Sequence, residues 1–155
     1  MPNIISKEDD SRKIAIYARK SKLTEQGKSI ENQITMCRNY AAINLNVDES
    51  DIITYIDEGL SGFYSDRPNY QRLLHDVADN KIRTLICYKI DRISRKTLDL
   101  LNLVDKLKSK KIDFISCSDN IDTSTPGGNM MISLLATIAE FERDIIAERI
   151  SDNMY

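Results

Sequence analysis

The stretch Ile14-Ala15-Ile16-Tyr17-Ala18-Arg19-Lys20-Ser21 decides how this chain is read. Its first half is a short apolar run with β-branched and aromatic residues, which predicts a strand over 14–17. Its second half turns basic and ends on a serine. The strand therefore delivers a hydroxyl to its tip, with one arginine two residues before it. A second basic cluster, Asp91-Arg92-Ile93-Ser94-Arg95, follows a later strand in the same way. A nucleophile beside several guanidiniums, with no acidic metal-binding cluster, points to attack on a phosphodiester.

Outward from this stretch, further apolar runs at 52–56, 84–88 and 112–117 predict three more strands. Helical patterns lie between them at 29–45, 68–79 and 96–110. Ser29 is the expected N-cap of the first, whose face carries Ile30, Ile34, Cys37, Tyr40 and Ala41. Pro68 opens the second, where a proline fits the first turn, and Leu73, Leu74 and Val77 line its apolar side. Ser94 is expected to cap the third, which carries Leu100, Leu103, Val104 and Leu107.

This alternation predicts an α/β fold. A mainly parallel central sheet of four to five strands carries helices on both faces and is followed by a long C-terminal oligomerisation helix. Right-handed crossovers bring the C-terminal ends of the strands to one edge, where such sheets bind ligands. The loops 19–28, 57–67 and 89–95 emerge on that edge. Ser21, Arg19, Arg67, Arg92 and Arg95 are therefore expected to converge.

The last segment reads differently. Thr125-Pro126-Gly127-Gly128 is expected to break the chain before a helix running from about 129 to the end. Met131, Leu134, Ile138, Phe141 and Ile145 repeat at spacings of three and four, and Met130, Leu135, Ala139 and Ile146 widen the stripe. A helix of roughly 25 residues spans nearly ~40 Å, more than one small sheet covers. A partner helix from a second subunit is the expected occupant of its apolar stripe. Three regions follow: a disordered tail over 1–11, a catalytic core over 12–126, and the start of an interface helix over 127–155. The helical pattern still running at Tyr155 reads as a cut rather than a natural end.

Composition bounds the function. The 155 residues allow one domain with a real core. A net charge of −2, from 22 basic and 24 acidic side chains, argues against a strong nonspecific nucleic-acid binder. If DNA is the partner, affinity must come from a local arginine cluster or from another part of the protein. No apolar run is long enough to span a bilayer, and no signal peptide is visible. Cys37, Cys87 and Cys117 are odd in number and widely spaced, so neither a disulfide framework nor a zinc site is expected. Cys87 and Cys117 fall in predicted strands and read as buried, inert thiols in a reducing cytoplasm. The single histidine, His75, falls inside a predicted helix away from the strand tips, which argues against a Ser-His-Asp triad.

Taken singly, each residue has a plain structural reading. Ser21 is a loop serine, Asp91 and Arg92 a surface ion pair, Arg67 packing beside Pro68, Asp57 a turn residue before Gly59, and Tyr17 a strand residue. Jointly they resemble the catalytic domain of the serine recombinases, the resolvase/invertase family. The matching pieces are Tyr17-x-Arg19-x-Ser21, Ser29-x-x-Asn32-Gln33, Asp57-Glu58-Gly59-x-Ser61-Gly62, Arg67-Pro68, Asp91-Arg92-x-Ser94-Arg95 and Glu142-Arg143-x5-Arg149. The Ser-Ile-Glu-Asn-Gln and Asp-Glu-Gly-x-Ser-Gly segments look most like the large recombinases of phages and mobile elements.

The resemblance implies a mechanism. Ser21 attacks the scissile phosphate and forms a 5′-phosphoserine bond, releasing a 3′-hydroxyl. Arg19, Arg92 and Arg95 bind the phosphate and Arg67 supports them. Gln33 and Asp91 position partners, Tyr17 shapes the pocket, and Asp57 belongs to the same catalytic set. Lys89, Arg143 and Arg149 are expected to contact DNA. Double-stranded recombination sites are the substrate, homodimers and homotetramers the working forms, and strands exchange by subunit rotation. No ATP, metal, cofactor, membrane or small-molecule substrate is implied. Gly127-Gly128 is expected to sit before the long helix. Family members carry DNA-binding regions after that helix, so this chain alone is expected to have negligible specific DNA affinity. Three other readings compete: a tyrosine recombinase or topoisomerase with Tyr17 as nucleophile, a receiver-like regulatory module, and a dimerisation module without activity.

Overall fold

The structure, a computed structural model, describes residues 11–20, 29–58, 67–94 and 96–153, with side chains as far as Arg149. Ser21 and Arg95 lie outside the described residues, as does the expected tail apart from Ser11.

Five strands and four α-helices make up the described chain. They run in the order β1 (Lys13–Arg19), α1 (Ile30–Tyr40), β2 (Ile52–Asp57), α2 (Pro68–Ala78), β3 (Ile82–Cys87), α3 (Thr97–Ser109), β4 (Asp113–Ser116), β5 (Ile121–Asp122) and α4 (Pro126–Asn153). The sheet order is β2-β1-β3-β4-β5. The pairs β1–β2, β1–β3 and β3–β4 are parallel, and β4–β5 is antiparallel.

Both faces of the sheet are covered, which is why its strands read as continuous apolar runs. Successive side chains point to opposite faces. Ile14, Ile16, Ile86 and Ile115 pack with Cys37 and Ala41 beneath α1. Ala15, Tyr17, Leu85, Cys87 and Phe114 face the other way, into a larger core with Leu73 and Val77 of α2, Leu100 to Leu107 of α3, and Ile132 of α4. β1 lies between β2 and β3, so the chain leaves it one way for α1 and β2, then crosses back over it through α2 to β3. The crossovers thus change direction between β1 and β3, and the strand ends at such a point are where open sheets of this kind usually bind ligands.

Local signals account for most helix ends. The Ser29 hydroxyl accepts the Asn32 N–H at 3.3 Å, as expected of an N-cap. Pro68 occupies the first turn of α2. α2 and α3 close through left-handed residues, Asn80 (φ 58°) and Lys111 (φ 58°). Lys81 N then donates to Asp76 O at 3.0 Å and Ile112 N to Leu107 O at 2.9 Å, the pattern of a Schellman stop.

Three expectations are corrected. Lys96, not Ser94, is the N-cap of α3; the Ser94 hydroxyl sits two residues earlier and accepts the Lys96 N–H at 3.2 Å. The sheet reaches the upper end of the expected four to five strands through the short β5, which no apolar run marks. Thr125-Pro126-Gly127-Gly128 does not stand outside the long helix, because α4 begins at Pro126. The Thr125 hydroxyl accepts the Gly128 N–H at 3.0 Å and caps it. Cys117 lies one residue beyond β4 and is only partly buried, whereas Cys37 and Cys87 are fully buried. Burial pushes the Cys87 thiol up; Cys117 is held below its ordinary value chiefly by a hydrogen bond from Cys37.

The 28-residue α4 extends about 42 Å at 1.5 Å per residue. Its first turns pack on the domain, where it meets α3 and β5. Met131, Ile132 and Leu135 join the core there. Of the expected interface stripe, Met131 therefore turns inward and Ile145 is half-buried, while Leu134, Ile138 and Phe141 are exposed, together with Met130 and Ile146.

Candidate active site

The site is built where β1, β2 and β3 end. Arg19 is the last residue of β1 and pairs in register with Asp57, the last of β2. The Lys20 N–H donates to the Asp57 carbonyl at 3.1 Å, so the chain leaves β1 still tied to β2 just before Ser21. From α1, Gln33 reaches back and its Nε2 donates to the Arg19 carbonyl at 3.1 Å. Gln33 is 1% exposed, so the expected positioning residue is fully buried beneath the strand end.

The β3–α3 loop follows at the end of β3. A single 3-10 turn, Ile90–Arg92, carries Asp91 and Arg92. The Arg19 guanidinium donates from Nη2 to the Asp91 carbonyl at 2.9 Å. Arg67, at the start of α2, donates from its own Nη2 to the Arg92 carbonyl at 3.2 Å. Two consecutive main-chain carbonyls of one loop thus hold two arginines from two other elements. Arg92 itself is 4% exposed, and its Nη1 lies 3.7 Å from Asp91 Oδ1. Lys89 is exposed on the same loop.

Behind the arginines stands a buried polar chain. Arg67 Nε donates to the Tyr17 hydroxyl at 3.1 Å, and that hydroxyl donates to Asp57 Oδ2 at 2.8 Å. Asp57 also accepts the N–H groups of Asn69 and Tyr70, at 3.0 and 2.9 Å. These first-turn donors of α2 have no acceptor within the helix, so a carboxylate sits on the positive end of that helix. The Arg67 guanidinium carbon lies 4.0 Å over the Tyr70 ring centre and 5.2 Å from that of Tyr17, and the two rings meet edge to face. Burial pushes the Tyr17 phenol far above its ordinary value, Arg67 opposing and Asp57 reinforcing the shift.

The structure therefore brings together Arg19, Arg67, Asp91, Arg92, Tyr17, Gln33 and Asp57 from five separate stretches of chain. It removes Tyr17 as a rival nucleophile, because its hydroxyl is fully buried and committed to Asp57. His75 lies in the last turn of α2, exposed and paired with Asp79 at 3.4 Å. Arg143 and Arg149 are exposed on the outer part of α4, away from this cluster's elements. Two further contributors, Tyr70 and Asn69, stand outside the motifs that the sequence offers. Tyr70 and Asn69 follow Arg67-Pro68 directly, so proximity to that pair was the available signal.

Comparison with known proteins gives consistent matches. A family model described as the resolvase N-terminal domain matches residues 14–155. A putative DNA recombinase of Bacillus subtilis is 37% identical over 142 residues, covering 89% of this chain and 27% of the relative. The serine recombinase gin of Escherichia phage Mu is 39% identical over 93 residues, covering 60% of this chain and 47% of the relative. Among solved structures, the N-terminal catalytic domain of TP901-1 integrase superimposes with a TM-score of 0.73 at 40% identity, covering 86% of this chain and 98% of that one. A resolvase family site-specific recombinase from Streptococcus pneumoniae gives 0.75 at 26% identity, covering 92% and 95%. The chain spans 27% to 52% of the length of the first three curated relatives.

Proposed function

Because this chain belongs to the resolvase family of serine recombinases, we propose that it is the catalytic part of a site-specific DNA recombinase with Ser21 as nucleophile. The Ser21 hydroxyl attacks the scissile phosphorus. A bond from Oγ to phosphorus forms, the bond from phosphorus to the 3′ oxygen breaks, and the serine proton ends on the released 3′-hydroxyl. The 5′-phosphoserine ester keeps the energy of the broken bond, so rejoining is the same step reversed on a new 3′-hydroxyl.

Extra negative charge builds on the non-bridging oxygens as attack proceeds. Arg19, Arg92 and Arg95 supply fixed positive charge there, and the fork of a guanidinium matches two phosphate oxygens. Arg67 acts from behind, held by Tyr17 and the Arg92 carbonyl. Preorganised cations meet the charge requirement of this chemistry, so metal and ATP are not needed for it. Two subunits pair through the exposed apolar side of α4 and two pairs form the tetramer that rotates strands. Lys89, Arg143 and Arg149 contact DNA. Work on chromosomal or mobile DNA places the protein in the cytoplasm.

The observation that carries this reading is the joint anchoring of Arg67 and of Arg19, which stands two residues before Ser21 in the chain, on the loop of Asp91 and Arg92. The test is to trap the covalent adduct that the intact protein forms with its paired recombination sites and to map it. The expected result is a DNA 5′-phosphate on Ser21 that disappears in Ser21→Ala. An adduct that survives this substitution, or that maps to another side chain, would overturn the assignment.

A further inference from the structure

The β3–α3 loop fixes Arg19 and Arg67 through two carbonyls, which raises the question of what fixes the loop. Its base is gripped from the far side by the turn after β4. Cys117 N donates to Cys87 O at 3.0 Å and Ser118 N to Tyr88 O at 2.8 Å, so the two chains stay zipped past the end of the sheet. Asp119 completes the grip. Its Oδ2 accepts the Ile90 N–H at 2.9 Å and the Ser116 hydroxyl at 2.7 Å. Ser116 is 1% exposed and belongs to β4, so Asp119 ties the first residue of the Ile90–Arg92 turn to the rigid sheet.

We infer that Asp119 is a positioning residue for strand cleavage. It sets where the Asp91 and Arg92 carbonyls stand, and through them where Arg19 and Arg67 point. The inference rests on the recombinase reading above. A charge-assisted acceptor shared by a backbone N–H and a buried hydroxyl is stiffer than a neutral one. Displacement of about 1 Å in a group that orients a reacting phosphate costs on the order of 10²-fold in rate. Asp119 needs no contact with DNA to have this effect, so its loss is expected to slow the chemical step without weakening binding.

Two measurements decide the matter. In the 155-residue chain, amide hydrogen exchange is followed at Ile90 and Arg92, with Leu85 and Ile86 of β3 as reference. Asp119→Ala is expected to speed exchange at Ile90 by about tenfold or more while the β3 amides stay protected. Unchanged exchange at Ile90 would overturn the positioning role. Should the alanine variant not fold, Asp119→Leu, which keeps the bulk but removes the acceptor, serves in its place with the same expected acceleration.

In the intact protein, single-turnover formation of the Ser21 adduct is compared with DNA affinity. The expected result is on the order of 10- to 100-fold slower adduct formation for Asp119→Ala, affinity within about twofold of wild type, and most of the rate restored in Asp119→Asn. Equal loss of affinity and rate, or no loss of rate, would overturn the inference. A wild-type protein that forms no Ser21 adduct would instead overturn the recombinase reading, and the exchange measurement would still decide whether Asp119 holds the loop.

Discussion

The Tyr17 hydroxyl donates to the Asp57 carboxylate at 2.8 Å, with both residues almost wholly buried at the ends of neighbouring strands. An isolated carboxylate in such a place would be strongly unfavourable. Here three donors meet it, two of them main-chain N–H groups at the positive end of α2. The carboxylate thus fixes the start of α2, and with it Arg67, while Tyr17 relays the same charge to Arg67 Nε.

Removing Asp57 should therefore cost more than removing the Tyr17 hydroxyl. Asp57→Ala leaves a buried phenol and two helix-start amides without their acceptor, and is expected to destabilise by about 2–4 kcal/mol. Tyr17→Phe keeps the ring packing against Tyr70 and is expected to lose about 1 kcal/mol. The double variant should lose less than the sum, since the two changes remove one shared interaction. Urea unfolding of the four proteins measures each term; strict additivity would show that the pair is not coupled.

Alkaline pH should act on two tyrosines. Burial raises the Tyr17 and Tyr55 phenols far above their ordinary value, with hydrogen bonds to Asp57 and Asp76 adding to the shift. In the unfolded chain both ionise near pH 10, while in the folded chain both stay neutral. The unfolded state therefore binds fewer protons above that pH, and stability falls as pH rises further. Below about pH 10 the contribution is fully present and flat. Phenolate absorbance at 295 nm should show two late-titrating tyrosines that ionise only with unfolding, and Tyr55→Phe should flatten the alkaline slope. Normal titration of both in the folded protein would contradict the buried pairing.

The four main strands were legible because burial on both faces makes each an unbroken apolar run. Arg19, Arg67 and the Asp91-Arg92 pair were legible because each stands just after a strand or just before a helix, where parallel topology gathers loops. β5 was not, since two residues, Ile121 and Asp122, carry no period and owe their state to pairing with Ile115 and Ser116. Asp119 was equally silent: its role comes from a contact with Ile90 that only the folded sheet creates. Met131 shares the spacing of the outward stripe yet packs on the core, because a stripe alone does not say which flank the domain covers.

The outward flank of α4 should govern association while leaving the fold intact. Leu134 and Phe141 are 52% and 64% exposed, so Leu134→Lys and Phe141→Lys remove no packing within the domain. Thermal stability measured at low concentration should stay nearly constant, and sedimentation should shift from self-associated species to monomer. Ile132, packed inside the core, gives the opposite outcome: Ile132→Ala is expected to lose about 2–4 kcal/mol with little direct effect on association. A lysine pair that leaves the sedimentation profile unchanged would place the interface elsewhere.

Adjacent glycines at the start of α4 should respond in opposite directions. A side chain on Gly127 meets nothing within 4 Å, and an alanine there removes backbone freedom from the unfolded chain, for an expected gain of about 0.4–1 kcal/mol. At Gly128 an added Cβ would overlap the main chain of Asp122. No flexible side chain can yield, because the obstacle is the backbone of β5. The helix would have to lift from the strand, separating Ile132 from its core neighbours and disturbing the Thr125 cap. Gly128→Ala is therefore expected to cost about 1–3 kcal/mol or more, read as a lower melting temperature beside a raised one for Gly127→Ala. Equal melting temperatures would mean that α4 does not rest on Asp122 in solution. The close approach also explains why a pair of residues that ordinarily interrupts helices stands inside the first turn of this one: the second glycine is what lets the helix seat directly on the sheet edge.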